Sequence, residues 1–161
     1  MPPVEPCPSP FLMRVHTLVR EWVQDEWLVI DDIKRNAHRL GGNAQADAAI
    51  NDARLTPDSL AKRLDNMSRS SLFRELRKLN APPPAEIIRK ARMEFAKHLL
   101  THTRMLVRDI AQRAGFPHEE YFTRRFAQEC KCTPIDFRRA HIETTTTPKK
   151  SASPRKKAGK D

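Results

Sequence analysis

Arg69, Arg74, Arg77 and Lys78 stand in one short stretch with Ser70 and Phe73, at intervals that put them on the surface of a single helix. A guanidinium can hold guanine O6 and N7 through two parallel hydrogen bonds, and an ammonium can neutralise a phosphate, so this set suits nucleic acid once a helix carries it into a groove. Arg74 is the expected base-reading residue, flanked by Arg69 and Ser70. Arg77 and Lys78 are expected to anchor phosphates; the alternative for them is an ordinary solvated charged face. Phe73 has two readings, contact with a thymine methyl or burial beside Leu72 and Leu76. A second set follows in His118, Glu119, Glu120, Thr123, Arg124 and Arg125. Carboxylates near phosphate repel it, so Glu119 and Glu120 either accept from cytosine N4 or favour the positive end of a helix, and the second role is preferred.

Other chemistry finds less support. Cys130 and Cys132 with His141 depart from zinc-ligand spacing, and His98 and His102 lack a third partner, so no metal site is expected. No Ser-His-Asp or Cys-His grouping is placed by a recognisable scaffold, and neither an enzyme nor a cofactor is expected. Only 4 Gly occur, which argues against a glycine-rich phosphate cradle. No stretch approaches the ~18 consecutive apolar residues of a membrane helix, so no membrane partner is expected. Prolines at 2, 3, 6, 8 and 10 replace anything like a secretory signal, and 3 cysteines are too few for a disulfide framework. A cytoplasmic, nucleoid-associated location is expected.

The chain has 161 residues, room for one ordinary domain and its appendages, and a formal net charge of +10. That excess favours an anionic polymer or surface as partner. Its distribution is uneven. Residues 1–54 hold 6 Lys/Arg against 8 Asp/Glu, residues 55–140 hold 18 against 10, and residues 141–161 hold 6 against 2. Residues 1–10, rich in proline, and 141–161, without apolar periodicity, are expected to be disordered because they cannot bury enough surface to offset ordering entropy.

The elements between them read as helices. Phe11, Leu12, Val15, Leu18, Val19, Trp22, Val23 and Trp27 recur at three- and four-residue steps and predict an amphipathic helix. A helix over 33–40 ended by Gly41-Gly42, and another over 44–53, are weaker expectations. Thr56 caps a helix over 57–64 that begins with Pro57, Asn66 serves the turn, and Ser68 caps a helix carrying Leu72, Phe73, Leu76 and Leu79. A long helix over 85–101 follows Pro82-Pro83-Pro84. The pattern then repeats: a helix over 107–114, a turn at Gly115-Phe116-Pro117-His118, and a helix over 119–129 packed through Tyr121, Phe122 and Phe126. The fold class is therefore all-α, with two helix-turn-helix subdomains joined by a long linking helix.

Gly115-Phe116-Pro117-His118-Glu119-Glu120-Tyr121-Phe122-Thr123-Arg124-Arg125-Phe126, followed by Thr133-Pro134-Ile135-Asp136-Phe137-Arg138, resembles the signature of the AraC/XylS family of bacterial transcription regulators. Upstream, Leu60-Ala61, the Met67-to-Arg74 run, Pro84, Ile88-Arg89, Arg92, Ala96, Leu99-Leu100 and Asp109-Ile110-Ala111 fall at the family's spacings. The resemblance covers residues 55–139, and residues 11–27 are similar to the helix that opens the family's domain. About 25 residues between them look like an insertion. The resemblance implies a seven-helix unit whose two recognition helices enter successive major grooves, one turn or ~34 Å apart. It implies double-stranded DNA as partner, contacts from Thr123 and Arg124, and activation through RNA polymerase. Ala81 and Lys131 stand where the family often has glycine, and Pro117 takes a usual capping-serine position.

In the tail, Thr147-Pro148-Lys149-Lys150 and Ser153-Pro154-Arg155-Lys156-Lys157 resemble the Ser/Thr-Pro-basic-basic elements of linker histones, which favour the narrow minor groove. The alternative is a solubilising or non-specific phosphate-binding arm. For the whole chain, three readings remain: a sequence-specific DNA-binding transcription regulator, an architectural or nucleoid-type DNA-binding protein of low sequence preference, and an interaction module in which residues 11–54 bind and regulate a partner protein.

Overall fold

The computed structural model describes residues 9–146, and among these the chain is helical throughout. The helices are α1 (Pro10–Arg35), α2 (Asn43–Ala53), α3 (Pro57–Arg63), α4 (Arg69–Lys78), α5 (Pro84–His102), α6 (Val107–Arg113), α7 (Glu119–Cys130) and α8 (Pro134–Thr146), with a short 3-10 turn at Ala37–Leu40. One helix, α2, is additional to the expected seven.

Helix α1 runs two turns past the end expected from its apolar stripe, because a helix needs no buried stripe to continue until its last carbonyls find another donor. Asn36 closes it, its Nδ2 donating to the Asp32 carbonyl at 2.9 Å. The helix expected over 33–40 is thus divided: its first turn belongs to α1 and its remainder is the 3-10 turn, which ends at Gly41 with φ +92°. Helix α2 packs back on α1 through Ala46 and Ile50, and Trp22 Nε1 donates to the Ala53 carbonyl at 3.1 Å.

The first helix-turn-helix begins with a reciprocal cap. Ser59 N donates to Thr56 Oγ1 at 3.1 Å, and Thr56 N donates to Ser59 Oγ at 2.9 Å. Its turn places two residues in the left-handed region, Asp65 (φ 56°) as well as Asn66 (φ 51°). Ser68 Oγ then accepts from Ser71 N at 3.1 Å and starts α4. After α4 the left-handed residue is Asn80 (φ 50°), one position before Ala81. Ala81 N closes the helix on the Leu76 carbonyl at 2.9 Å, so alanine carries no positive-φ strain.

The second motif repeats the design with aromatic rings. Phe116, Phe122 and Phe126 are buried, and the Phe122–Phe126 and Phe126–Phe137 centroids lie 5.5 and 5.3 Å apart. Tyr121 joins this packing only at its edge: its ring lies 6.4 Å from that of Phe116, but it is 44% exposed because Phe122 and Phe126 occupy the inward face and a residue one step earlier is rotated ~100° away. Lys131 ends α7 with φ 59°. Helix α8 continues through His141 to Thr146, taking in the first six residues of the tail expected over 141–161. Elongation adds a hydrogen bond for every residue fixed, which carries a nucleated helix into a threonine run of poor propensity.

Two cores result, and α5 serves both. Val15, Val19 and Val23 of α1 pack with Leu60, Leu64, Leu72 and Leu76 over Ile87 and Ile88 at the start of α5. Met93, Ala96, Leu99 and Leu100 farther along α5 pack with Ile110, Phe116, Phe122 and Phe126. Helix α1 is therefore part of the first motif's core.

A polar joint sits between the cores. Glu26 is 5% exposed, the one buried charged residue among those described. Arg92 Nη2 donates to its two carboxylate oxygens at 3.0 and 2.9 Å and to the Leu55 carbonyl at 3.2 Å, while Arg92 Nη1 donates to the Gly115 carbonyl at 3.3 Å. Leu55 N donates to Glu26 Oε1 at 3.1 Å. Burying a carboxyl group at such depth is costly unless its oxygens are met by hydrogen bonds in this way.

Candidate nucleic-acid interface

Complete burial of Leu72 and Leu76 fixes the rotation of α4 and turns Arg69, Ser70, Phe73, Arg74, Arg77 and Lys78 to solvent. Five of these six, all but Lys78, line one concave surface closed by Ala81 and Pro83. Lys78 lies on the other flank, its Nζ 2.7 Å from Glu75. Phe73 is outside the core, 37% exposed, since the two leucines already fill the inward face. The Arg69 guanidinium stands 5.6 Å from its ring centroid and 3.5 Å from Asp58, which holds that arginine at the helix start. Arg74 and Arg77 have no hydrogen-bond or ion-pair partner among the described residues, leaving two uncompensated cations on this exposed surface.

The second recognition helix is electrostatically different. His118 is the N-cap residue, one position after Pro117 and directly before the helix expected from Glu119, and makes no side-chain cap hydrogen bond. Glu119 and Glu120 follow in the first turn, exposed, where the exposed backbone N–H groups favour carboxylates. Arg124 is exposed on the face opposite Phe122, and Thr123 is half-buried. Arg125 turns away from this group. It is half-buried beside Arg89 and Lys90 of α5, and its Nη1 donates to Gln128 Oε1 at 3.2 Å.

Lys149, Lys150, Arg155, Lys156 and Lys157 lie outside the described residues. Cys130 and Cys132 are both half-buried free thiols, and burial pushes the Cys130 thiol up from its ordinary value, away from the thiolate a ligand or nucleophile needs. No group of three metal-ligating side chains forms among the described residues, and no helix there is long and apolar enough to cross a membrane.

Sequence reasoning missed the joint at Glu26. Arg92 was placed only as a family position, and Glu26 sat unmarked in an apolar stripe. Its signal was available, since a carboxylate three residues after Val23 continues the buried spacing of Val15, Val19 and Val23. Two tryptophans flank it: Arg63 of α3 stacks over Trp22 at 4.3 Å, and Arg113 of α6 over Trp27 at 4.0 Å.

A family model described as a helix-turn-helix domain matches residues 60–140. RclR of Escherichia coli K12, an HTH-type transcriptional activator described as RCS-specific, is 29% identical over 140 residues, covering 86% of this chain and 49% of the relative. RhaS of Escherichia coli O139:H28, another HTH-type transcriptional activator, is 32% identical over 81 residues, covering 50% and 29%. The chain thus spans half or less of the length of these relatives. Among solved structures, the C-terminal domain of AraT, a response regulator from Geobacillus stearothermophilus, superposes with a TM-score of 0.57 at 22% identity, over 84% of this chain and 88% of that one. The xylose-binding transcription activator xylR does so with a TM-score of 0.59 at 17% identity, over 86% and 29%. Both likenesses are of fold. With the family match extending over half the chain and the double helix-turn-helix described above, the chain belongs to the AraC/XylS family of helix-turn-helix proteins.

Proposed function

We propose that this chain is a sequence-specific double-stranded DNA-binding transcription regulator, with α4 and α7 reading successive major-groove segments. The observation that carries the reading is the outward face of α4, where Arg74 and Arg77 stand exposed and unpaired beside Arg69, Ser70 and Phe73 while the helix's own core is filled. Unpaired guanidinium groups on a helix of a width that enters a major groove are the donors that base edges and phosphates accept. In this reading Arg74 bonds a guanine, Phe73 meets a thymine methyl, Arg69 and Ser70 contact the same segment, and Arg77 and Lys78 hold phosphates. Arg124 and Thr123 contact the second segment, with His118 at its edge. Glu119 and Glu120 stabilise the start of α7, and Arg125 adds charge from the side of α5. The tail cations Lys149, Lys150, Arg155, Lys156 and Lys157 strengthen attachment through the minor groove or phosphates.

The working unit is residues 55–140 together with α1, whose valines complete the first motif's core. The protein does its work by binding, without catalytic chemistry, at the bacterial nucleoid, and it activates or represses through the position it takes relative to RNA polymerase. Selection of bound duplexes from a random pool, followed by affinity measurement at fixed salt, tests this. A ratio of specific to non-specific affinity above ~10³ is expected; a smaller ratio would favour an architectural protein with little sequence preference.

A further inference from the structure

We infer that Glu26 and Arg92 are positioning residues that fix the placement of one recognition helix relative to the other, and so determine the separation of the two DNA segments the chain reads. The inference rests on the two-motif reading above. Its basis is what the Arg92 guanidinium touches. From α5 it reaches Glu26 of α1, the Leu55 carbonyl at the entrance to the first motif and the Gly115 carbonyl in the turn of the second. The turn of the second motif is otherwise held by backbone hydrogen bonds to Ala111 and Gln112 and by its own apolar core, which meets the first core through the shared helix α5 and its Phe95.

Apolar contacts are non-directional and tolerate small rotations, whereas a guanidinium has fixed donor directions and permits one arrangement of its acceptors. The joint therefore adds a directional constraint to the apolar packing of the two cores on α5. Helix α1 reinforces it from both sides of Glu26: Trp22 takes Arg63 of the first motif and Trp27 takes Arg113 of the second. Gly115 completes the fit, because a Cβ there would lie 2.8 Å from Arg92 Nε and 2.9 Å from Cζ.

The test compares full-length protein with Arg92→Lys and Glu26→Gln in parallel selections from a random duplex pool, reading both the enriched sub-motifs and the distance between them. Lysine keeps the charge but cannot span three acceptors, and glutamine keeps volume while removing the charge. The parent should enrich two sub-motifs at one separation. Each folded variant should enrich the same sub-motifs over several separations, with its affinity for either sub-motif alone unchanged. A variant that is folded by circular dichroism and keeps the parent's single separation would overturn the inference, as would equal weakening on every separation. Loss of folding in both variants would overturn it too, by making the joint a stability element. Failure of the parent itself to show two sub-motifs would instead strike the two-motif reading.

Discussion

Gly115 and Arg92 fit each other without space for a methyl group: the glycine carbonyl accepts from Arg92 Nη1 at 3.3 Å, and an added Cβ would meet Arg92 Nε at 2.8 Å. The guanidinium cannot swing aside cheaply, since its Nη2 is engaged with Glu26 and the Leu55 carbonyl, although its buried Nε has no partner.

Gly115→Ala should therefore destabilise the protein twice over, through the clash and through φ +75°, a region costly to any residue with a Cβ. A loss of ~1–3 kcal/mol is expected in urea unfolding. A midpoint equal to the parent's would show that the arginine is free to move.

Lys131 closes α7 at φ 59°, a left-handed conformation that glycine adopts without steric cost. Lys131→Gly should stabilise by ~0.5–1 kcal/mol, the left-handed conformation costing a side-chain-bearing residue ~1–2 kcal/mol and glycine's extra unfolded-state entropy offsetting part of the gain. Asn80→Gly at φ 50° should gain less, because asparagine tolerates this region. Thermal midpoints of the two variants check the order.

His16 lies in a groove with Arg20, Lys90, Glu94 and His98, and burial, then Arg20 and Lys90, hold its imidazole below the ordinary 6.5. The unfolded chain accordingly takes up a proton first as pH falls. Stability from this group is intact above about 6.5 and declines below it until the folded imidazole also titrates. Urea midpoints compared at pH ~7.5 and ~5.5 should show a drop in the parent that His16→Gln reduces. An unchanged difference would assign the drop to other groups.

On DNA, Arg74→Ala should relax preference at one base position at a cost of ~1–3 kcal/mol, while Lys78→Ala should weaken all sequences alike and lower the salt slope by ~1. Lys78 already shares a 2.7 Å contact with Glu75, which limits its role to charge. Binding of each variant to the selected duplex and to point-mutated duplexes separates the two; equal loss on every duplex for both would contradict the roles.

Much of the local chemistry of the described residues was legible in the sequence. Thr56, Ser68 and the apolar steps at Leu72 and Leu76 define their helices because caps and amphipathic periodicity act over a single turn, within reach of a sequence reading. The outward direction of Arg74 followed from the same periodicity. Where the sequence reading went astray, the deciding partner was elsewhere. Tyr121 was expected in the core, and only the space already filled by Phe122 and Phe126 leaves it at the edge beside Phe116; likewise Leu72 and Leu76 decide between the two readings of Phe73, which stays outside. Arg125 carries the same charge as Arg124, yet its flank of α7 meets α5. Above all, Glu26, Leu55, Arg92 and Gly115 are far apart in sequence, and hydrogen bonds between them exist only once two cores and the helix they share have brought four segments to one point. Periodicity reports which face of an element is apolar; which buried charge meets which donor depends on how those faces pack.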